Sequence, residues 1–364
     1  MSDEPVRVVA VCAVNGFGGP VRSLATVVAE LGERVRLIVA TQPTVVASNR
    51  PGDGDRSPLQ ELADDQIELP LPRGAGLPRA QWALLRAAGR VRRADVVHAN
   101  GLTEAVAVLP VALATRARVV VWVHNYATPR PFALAATVLG PLLRRWRWAA
   151  VSRTARDLLP AGWTIETIPN PVESGGDRDR PMRPRPLTVV YLAGTDHPVK
   201  GFDLLPDIVR ATPPDAARFV VHAAASQRSD HPASRAAWAE LTGPLADRVE
   251  IGPFVADVAP ILDAADLVLV PSRRESFNRV LAEALAHGVP VVASDIAPHR
   301  EHFADGAVGR TFRADDAVDA ARAIVELADD PDERERCAQR GWARVEGFAP
   351  PLVAEQLLAA WSAS

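Results

Sequence analysis

Two carboxylates, Glu275 and Glu283, stand eight residues apart in the stretch L-V-L-V-P-S-R-R-E-S-F-N-R-V-L-A-E-A-L-A-H-G-V-P-V-V-A-S, Leu267 to Ser294. If both were helical they would be about 80° apart in azimuth and roughly 12 Å apart along the axis. That separation rules out a close acid-base pair and suits the two ends of one elongated ligand. The amides of Ser276, Phe277, Asn278 and Arg279 fall at the expected helix start, where N–H groups without intrahelical partners favour an anion. A ligand with hydroxyls at both ends and a diphosphate in the middle is a nucleotide-sugar.

Other residues extend this chemistry. Lys200 lies in G-T-D-H-P-V-K-G, Gly194 to Gly201, just after an apolar run that reads as a strand. A cation at that point suits a diphosphate leaving group whose charge grows as its bond breaks. His124 ends V-W-V-H-N at a strand's carboxyl tip, where open α/β sheets bind ligands. Gly18 and Gly19 in N-G-F-G-G-P join the first strand to the first helix and permit close backbone approach, although a plain tight turn reads equally well. A dinucleotide-binding fingerprint would need another Gly at Val21 and an acid after the second strand, where Ala40, Thr41 and Gln42 stand. His299 and His302 have no nearby Cys and do not read as a metal site. Asp177-Arg178-Asp179 imitates a metal-binding pair but falls in a linker.

The Leu267–Ser294 stretch resembles the glutamate-x7-glutamate motif of retaining glycosyltransferases with the GT-B fold, family 4 (glycosyl transferases group 1). The flanking Pro271-Ser272 and G-V-P-V-V-A-S-D-I-A-P-H-R-E are similar to the family as well. The resemblance covers nearly the whole chain and is strongest from Asp266 to Glu346. It implies that Glu275 touches the donor sugar, Glu283 the ribose hydroxyls and Lys200 the diphosphate. His124 is then a cleft residue at the donor sugar, and Gly18 and Gly19 lie near the donor phosphates and the acceptor. His124, Lys200 and Glu275 form the expected catalytic set. Gly18, Gly19, Thr195, Lys200, Glu275, Ser276, Phe277, Asn278, Arg279 and Glu283 form the expected donor site.

One position departs from the family. Thr195 occupies the place of a second diphosphate-binding Arg, a role that Arg273, Arg274 or Arg279 could restore. The resemblance further implies a UDP- or GDP-sugar as substrate, no cofactor, no metal and retention at the anomeric carbon. The expected reaction is front-face departure of the diphosphate, with an acceptor of unknown identity. Two other readings stay open: a nucleotide-sugar epimerase of the same architecture, and a non-catalytic nucleotide-sugar-binding protein.

The elements that must position these residues are those of an α/β protein. Continuous apolar runs bounded by breakers, alternating with helical patterns, predict parallel strands buried on both faces. Expected strands are Val8–Val14, Val35–Ala40, Val96–His98, Val119–His124, Ala149–Ser152, Ile165–Ile168, Leu187–Ala193, Phe219–Ala223, Val249–Gly252, Leu267–Val270 and Val289–Ala293. Expected helices include Val21–Leu31, Ala80–Val91, Thr103–Thr115, Phe132–Trp148, Phe202–Ala211, Ala233–Thr242, Ala317–Ala328 and Pro331–Arg344. Most of Thr41 to Gly76 reads as loop, with a short strand at Ile67–Leu71.

The whole is expected to be GT-B: two Rossmann-like doubly wound domains facing a central cleft. Residues 1–173 would form the acceptor domain, 174–186 an exposed linker and 187–349 the donor domain. Residues 350–364 would form a final helix crossing back to the first domain.

Composition narrows the partners. The chain of 364 residues is 48% hydrophobic and 23% charged with a formal net charge of −3, which gives no reason to expect nucleic acid. Its two cysteines, Cys12 and Cys337, exclude a disulfide framework and fit a reducing, cytoplasmic location. The start M-S-D-E-P-V-R is unlike a secretory leader, and no apolar run reaches membrane-spanning length. Arg144, Arg145, Trp146, Arg147 and Trp148 could rest on an anionic membrane surface, although a solvated helix end is the plainer reading.

Overall fold

The computed structural model describes residues 4–12, 18–42, 56–69, 76–176, 178, 182–194, 198–222, 231–253, 255, 257–303 and 308–362. The chain divides into two compact units. The first comprises residues 1–47, 51–171 and 348–364, and the second 48–50 and 172–347.

The first unit holds strands β1 (Val6–Val11), β2 (Val35–Thr41), β3 (Asp65–Glu68), β4 (Val96–Ala99), β5 (Val119–Val123), β6 (Arg147–Ala150) and β7 (Ile165–Thr167). They form one sheet in the order β3-β2-β1-β4-β5-β6-β7, with every pairing parallel. The second unit holds β8 (Leu187–Leu192), β9 (Ala217–His222), β10 (Val249–Gly252), β11 (Leu267–Val270), β12 (Val291–Ser294) and β13 (Gly309–Phe312). Its order is β10-β9-β8-β11-β12-β13, again parallel throughout. In each sheet the order reverses beside the first strand, so each unit has one switch point: β1/β4 in the first, β8/β11 in the second.

The patterning explains both sheets. β4, β5, β8, β11 and β12 are buried at every residue, as helices on both faces of a parallel sheet require. The Gly19–Leu31 helix turns Val21, Leu24, Val28 and Leu31 inward at helical spacing. The core of the second unit gathers Leu187, Val189 and Tyr191 of β8, Leu267 and Leu269 of β11, and Phe202, Ile208 and Ile324 from covering segments.

The last helix, Pro350–Ser362, belongs to the first unit although the second precedes it in sequence. It packs on Gly19–Leu31 and buries Val353, Leu357 and Trp361. The Trp361 indole donates to Nδ1 of His98 at 3.2 Å, and Arg34 pairs with Glu355 at the surface.

Several boundaries differ from expectation. The predicted Phe132–Trp148 helix ends at Leu143, and Arg147 and Trp148 belong to β6. Pro141 removes an amide from the ladder, Leu139 is non-helical at the resulting kink, and Trp148 is drawn into the core against Phe132. The predicted Ala80–Val91 helix is two helices, Gly76–Arg86 and Ala88–Val91. The short strand placed at Ile67–Leu71 runs instead from Asp65 to Glu68, and Ala13 and Val14 of the first expected strand lie outside the described residues. The Phe202–Ala211 helix opens with a 3-10 turn over Phe202–Leu204. Helices at Pro58–Glu61, Ala259–Ala264 and Ala297–Phe303, and strand β13, were not anticipated.

Candidate functional site

At the carboxyl ends of β8 and β11 two loops meet. After β8 the chain makes a 3-10 turn, Pro198–Lys200, then passes Gly201 at φ 70. A side chain on Gly201 would strike the Pro271 carbonyl, and the Arg273 amide donates to the Val199 carbonyl at 2.7 Å. This close approach brings the Lys200 ammonium to 2.7 Å from Glu275 Oε1. The lysine is partly exposed, whereas the Glu275 side chain is only 9% exposed.

The helix after β11 begins at Arg279 and runs to Ala286. Asn278 is its N-cap, in the left-handed region at φ 69, and its side-chain oxygen accepts from the Leu281 amide at 3.0 Å. This corrects the expected anion cradle. Ser276 and Phe277 precede the helix, so the amides that a helix start presents begin at Arg279. Glu275 precedes the helix, as expected from the sequence, so the azimuth that holds for two helical glutamates does not apply to it.

Glu283 lies on the helix, 9% exposed as a residue, and accepts from Arg279 at 2.9 Å one turn earlier. Phe277 is buried against His302, which hydrogen-bonds its carbonyl. Gly288 at φ 66 closes the segment, where a side chain would strike Trp342.

The candidate replacements for the second cation are in different states. Arg273 is clamped by both oxygens of Asp203, at 2.7 and 2.8 Å, and by Asp315. These carboxylates hold its guanidinium even more firmly charged than usual. Arg279 is paired with Glu283. Arg274 is exposed, beside Glu275 in sequence. Thr195 lies outside the described residues, as do Asp177 and Asp179 of the imitation metal motif.

In the first unit, His124 follows β5 directly, is buried, and meets the Trp122 ring edge-on at 4.5 Å. Next to it the Asn125 side chain accepts from the Leu102 amide at 2.9 Å and so caps the helix Leu102–Thr115 from a neighbouring strand end. Gly101 at φ 143 leaves the space taken by the Glu104 carboxylate. Gly18 and Gly19 stand at the start of their helix, with Gly18 as its N-cap at an ordinary φ of −64 and no side-chain cap. The rest of that loop, residues 13–17, lies outside the described residues. His98 is wholly buried between Trp122 and Trp361. Arg144 and Arg145 are exposed, whereas Trp146 stacks on Trp148 and Arg147 pairs with Glu166.

Sequence reasoning passed over His299 except as a metal ligand. It is fully buried beside Asn278, and among the described residues no group of three His, Cys, Asp or Glu side chains could hold a metal. No helix among the described residues is long and apolar enough to cross a membrane. Glu104 was also passed over; its position in the first turn after β4, at the switch point, was the available signal.

Two parallel sheets of this order, in successive units of one chain, are the architecture of the GT-B fold. The family described as "Glycosyltransferase Family 4" matches residues 17–174, and "Glycosyl transferases group 1" matches 186–330. The phosphatidyl-myo-inositol mannosyltransferase of Mycobacterium leprae is 27% identical over 94% of this chain and 92% of its own length. That of Mycolicibacterium smegmatis is 30% identical over 65% of this chain, a match spanning 63% of the relative's length. A solved structure of Anabaena HepE with UDP and glucose shares the fold at a TM-score of 0.77, with 19% identity and coverage of 99% of this chain and 100% of that one. The chain belongs to the group 1, family 4 glycosyltransferases of the GT-B fold.

Proposed function

We propose that the chain transfers a glycosyl group from a nucleoside diphosphate sugar to a hydroxyl acceptor, with retention at the anomeric carbon. The observation that carries this reading is the pairing of Lys200 with Glu275 at the β8/β11 switch point, with Glu283 farther along the following helix. An ammonium has three N–H donors. One meets Glu275, and two are available to diphosphate oxygens. As the anomeric C–O bond breaks, the electron pair goes to the diphosphate, whose growing charge Lys200 stabilises. The acceptor hydroxyl forms the new bond on the same face and passes its proton to the leaving phosphate oxygen. Glu275 orients the sugar hydroxyls and Glu283 those of the ribose.

The donor is a UDP- or GDP-sugar. HepE structures with UDP and UDP-glucose support the first, and mannosyltransferase relatives make the second worth equal attention. The acceptor binds the first unit near His124 and Glu104. Relatives named for phosphatidyl-myo-inositol and D-inositol 3-phosphate favour a polyol or its phosphoester as acceptor. The reaction proceeds without a metal, in the cytoplasm.

A thermal-shift screen of uridine, guanosine, thymidine and adenosine diphosphate sugars identifies the donor, because a true ligand raises the midpoint by mass action. Calorimetry on Glu283→Ala should then show weakened donor binding. An unchanged affinity would sink the assignment.

A further inference from the structure

The hydrogen bonds around Asn278 can be satisfied in only one way. His299 Nδ1 lies 2.8 Å from the Ser294 carbonyl, which can only accept, so this nitrogen carries the ring proton. Asn278 Oδ1 is committed to the Leu281 amide. Its nitrogen, with two hydrogens, lies 2.9 Å from His299 Nε2 and 3.2 Å from Glu275 Oε1. A neutral His299 accepts one hydrogen and the Glu275 carboxylate the other.

We propose that His299 and Asn278 are positioning residues: the imidazole, protonated on Nδ1 and held by the end of β12, turns the Asn278 amide so that it fixes the Glu275 carboxylate beside Lys200. The left-handed backbone of Asn278 is what brings its amide over Glu275 while its oxygen caps the helix. Burial pushes His299 down to about 4, and Lys200 adds to this while Asp295 opposes it, so the acceptor nitrogen stays free of a proton at neutral pH. Asn278 and His299 are 7% and 0% exposed, which keeps water from replacing either bond. A glycine could supply the same backbone but no tether.

The inference rests on Glu275 contacting the donor sugar, and two substitutions separate positioning from capping. Asn278→Asp keeps the cap oxygen but sets an acceptor against two acceptors. Asn278→Gly keeps the backbone and removes the amide. If Asn278 only capped the helix, Asp would be harmless and Gly the worse. A tether predicts the reverse. Binding is measured by calorimetry with UDP, UDP-glucose, GDP and GDP-mannose. The Kd of the sugar nucleotide that binds should rise about 10- to 100-fold in Asn278→Asp, the size of one charge-assisted hydrogen bond. The matching bare diphosphate should change less than about twofold, because Glu275 serves the sugar end. On a Glu275→Gln background most of the Asn278 effect should vanish. Nitrogen-15 spectra of the unliganded protein should show His299 neutral with its proton on Nδ1.

Asn278→Asp binding like the parent, additive effects with Glu275→Gln, or a proton on Nε2 would each overturn the relay. Failure of all four nucleotides to bind the parent protein would instead overturn the donor-site reading, and the nitrogen spectra would still decide the tether.

Discussion

Lys200 and Glu275 form one ion pair across a switch point, joining the cation that follows β8 to the acid that follows β11 at 2.7 Å. If the ammonium carries the diphosphate's growing charge, Lys200→Met should lower turnover on the order of 10²- to 10³-fold. The lysine is more than a third exposed but the Glu275 side chain only 9%, so a carboxylate left without its cation should also lower the melting temperature. Initial rates with the donor found by thermal shift provide the measurement, and a change below threefold would remove Lys200 from the reaction.

The loop carrying Lys200 depends on a missing side chain. Gly201 is left-handed and lies against the Pro271 carbonyl, so Gly201→Ala combines backbone strain with a collision. It should destabilise the protein by about 1–3 kcal/mol and weaken donor binding as well. Urea unfolding and calorimetry on the same variant test both effects. A change in neither would mean that the loop can shift without consequence.

The last helix is held by its buried tryptophan rather than by its surface charges. Trp361 is fully buried and donates to His98, so Trp361→Ala should cost about 3–5 kcal/mol in urea unfolding. Glu355→Gln removes an ion pair with Arg34 whose partners are both largely exposed, and its midpoint should match the parent. Equal effects of the two changes would contradict this division.

Three buried histidines make stability depend on pH. His98, His299 and His302 are each pushed down to about 4 by burial, from an ordinary 6.5. The unfolded chain therefore takes up protons as pH falls through 6.5, while the folded chain resists until about 4. Stability should be complete above 6.5 and decline between those values, by about 1.4 kcal/mol per pH unit for each histidine at most. Urea midpoints at pH 7.5, 6.5, 5.5 and 5.0 would show the slope, and His98→Gln should lessen it. A flat profile from 7.5 to 5.0 would show that these rings are charged, or water-exposed, in the fold.

The two sheets were legible because buried parallel strands write continuous apolar runs, as in Leu187–Leu192 and Leu267–Val270. Short polar strands left no such trace: β13 is G-R-T-F, without a continuous apolar run. The Pro58–Glu61 helix had a readable signal that was passed over, the capping box of Ser57 and Gln60. Around the site, the positions of Lys200 and Glu275 followed from motif spacing, but their direct pairing did not. That pairing depends on Gly201 and Pro271, which are 70 residues apart in the chain and meet only through the β8/β11 neighbourhood. The helix start was placed too early because the left-handed turn at Asn278 is a backbone state, and an Asn in a helical pattern does not announce it.

Arg273 has a further consequence. Its guanidinium reaches Asp203 in the turn after β8 and Asp315 beyond β13, while its own backbone follows β11. Three strand-end segments are thereby knotted by a single side chain. The loops that carry Lys200 and Glu275 are tied together when the protein folds, so a donor bound there, as proposed, would meet a rim whose ordering entropy was surrendered beforehand.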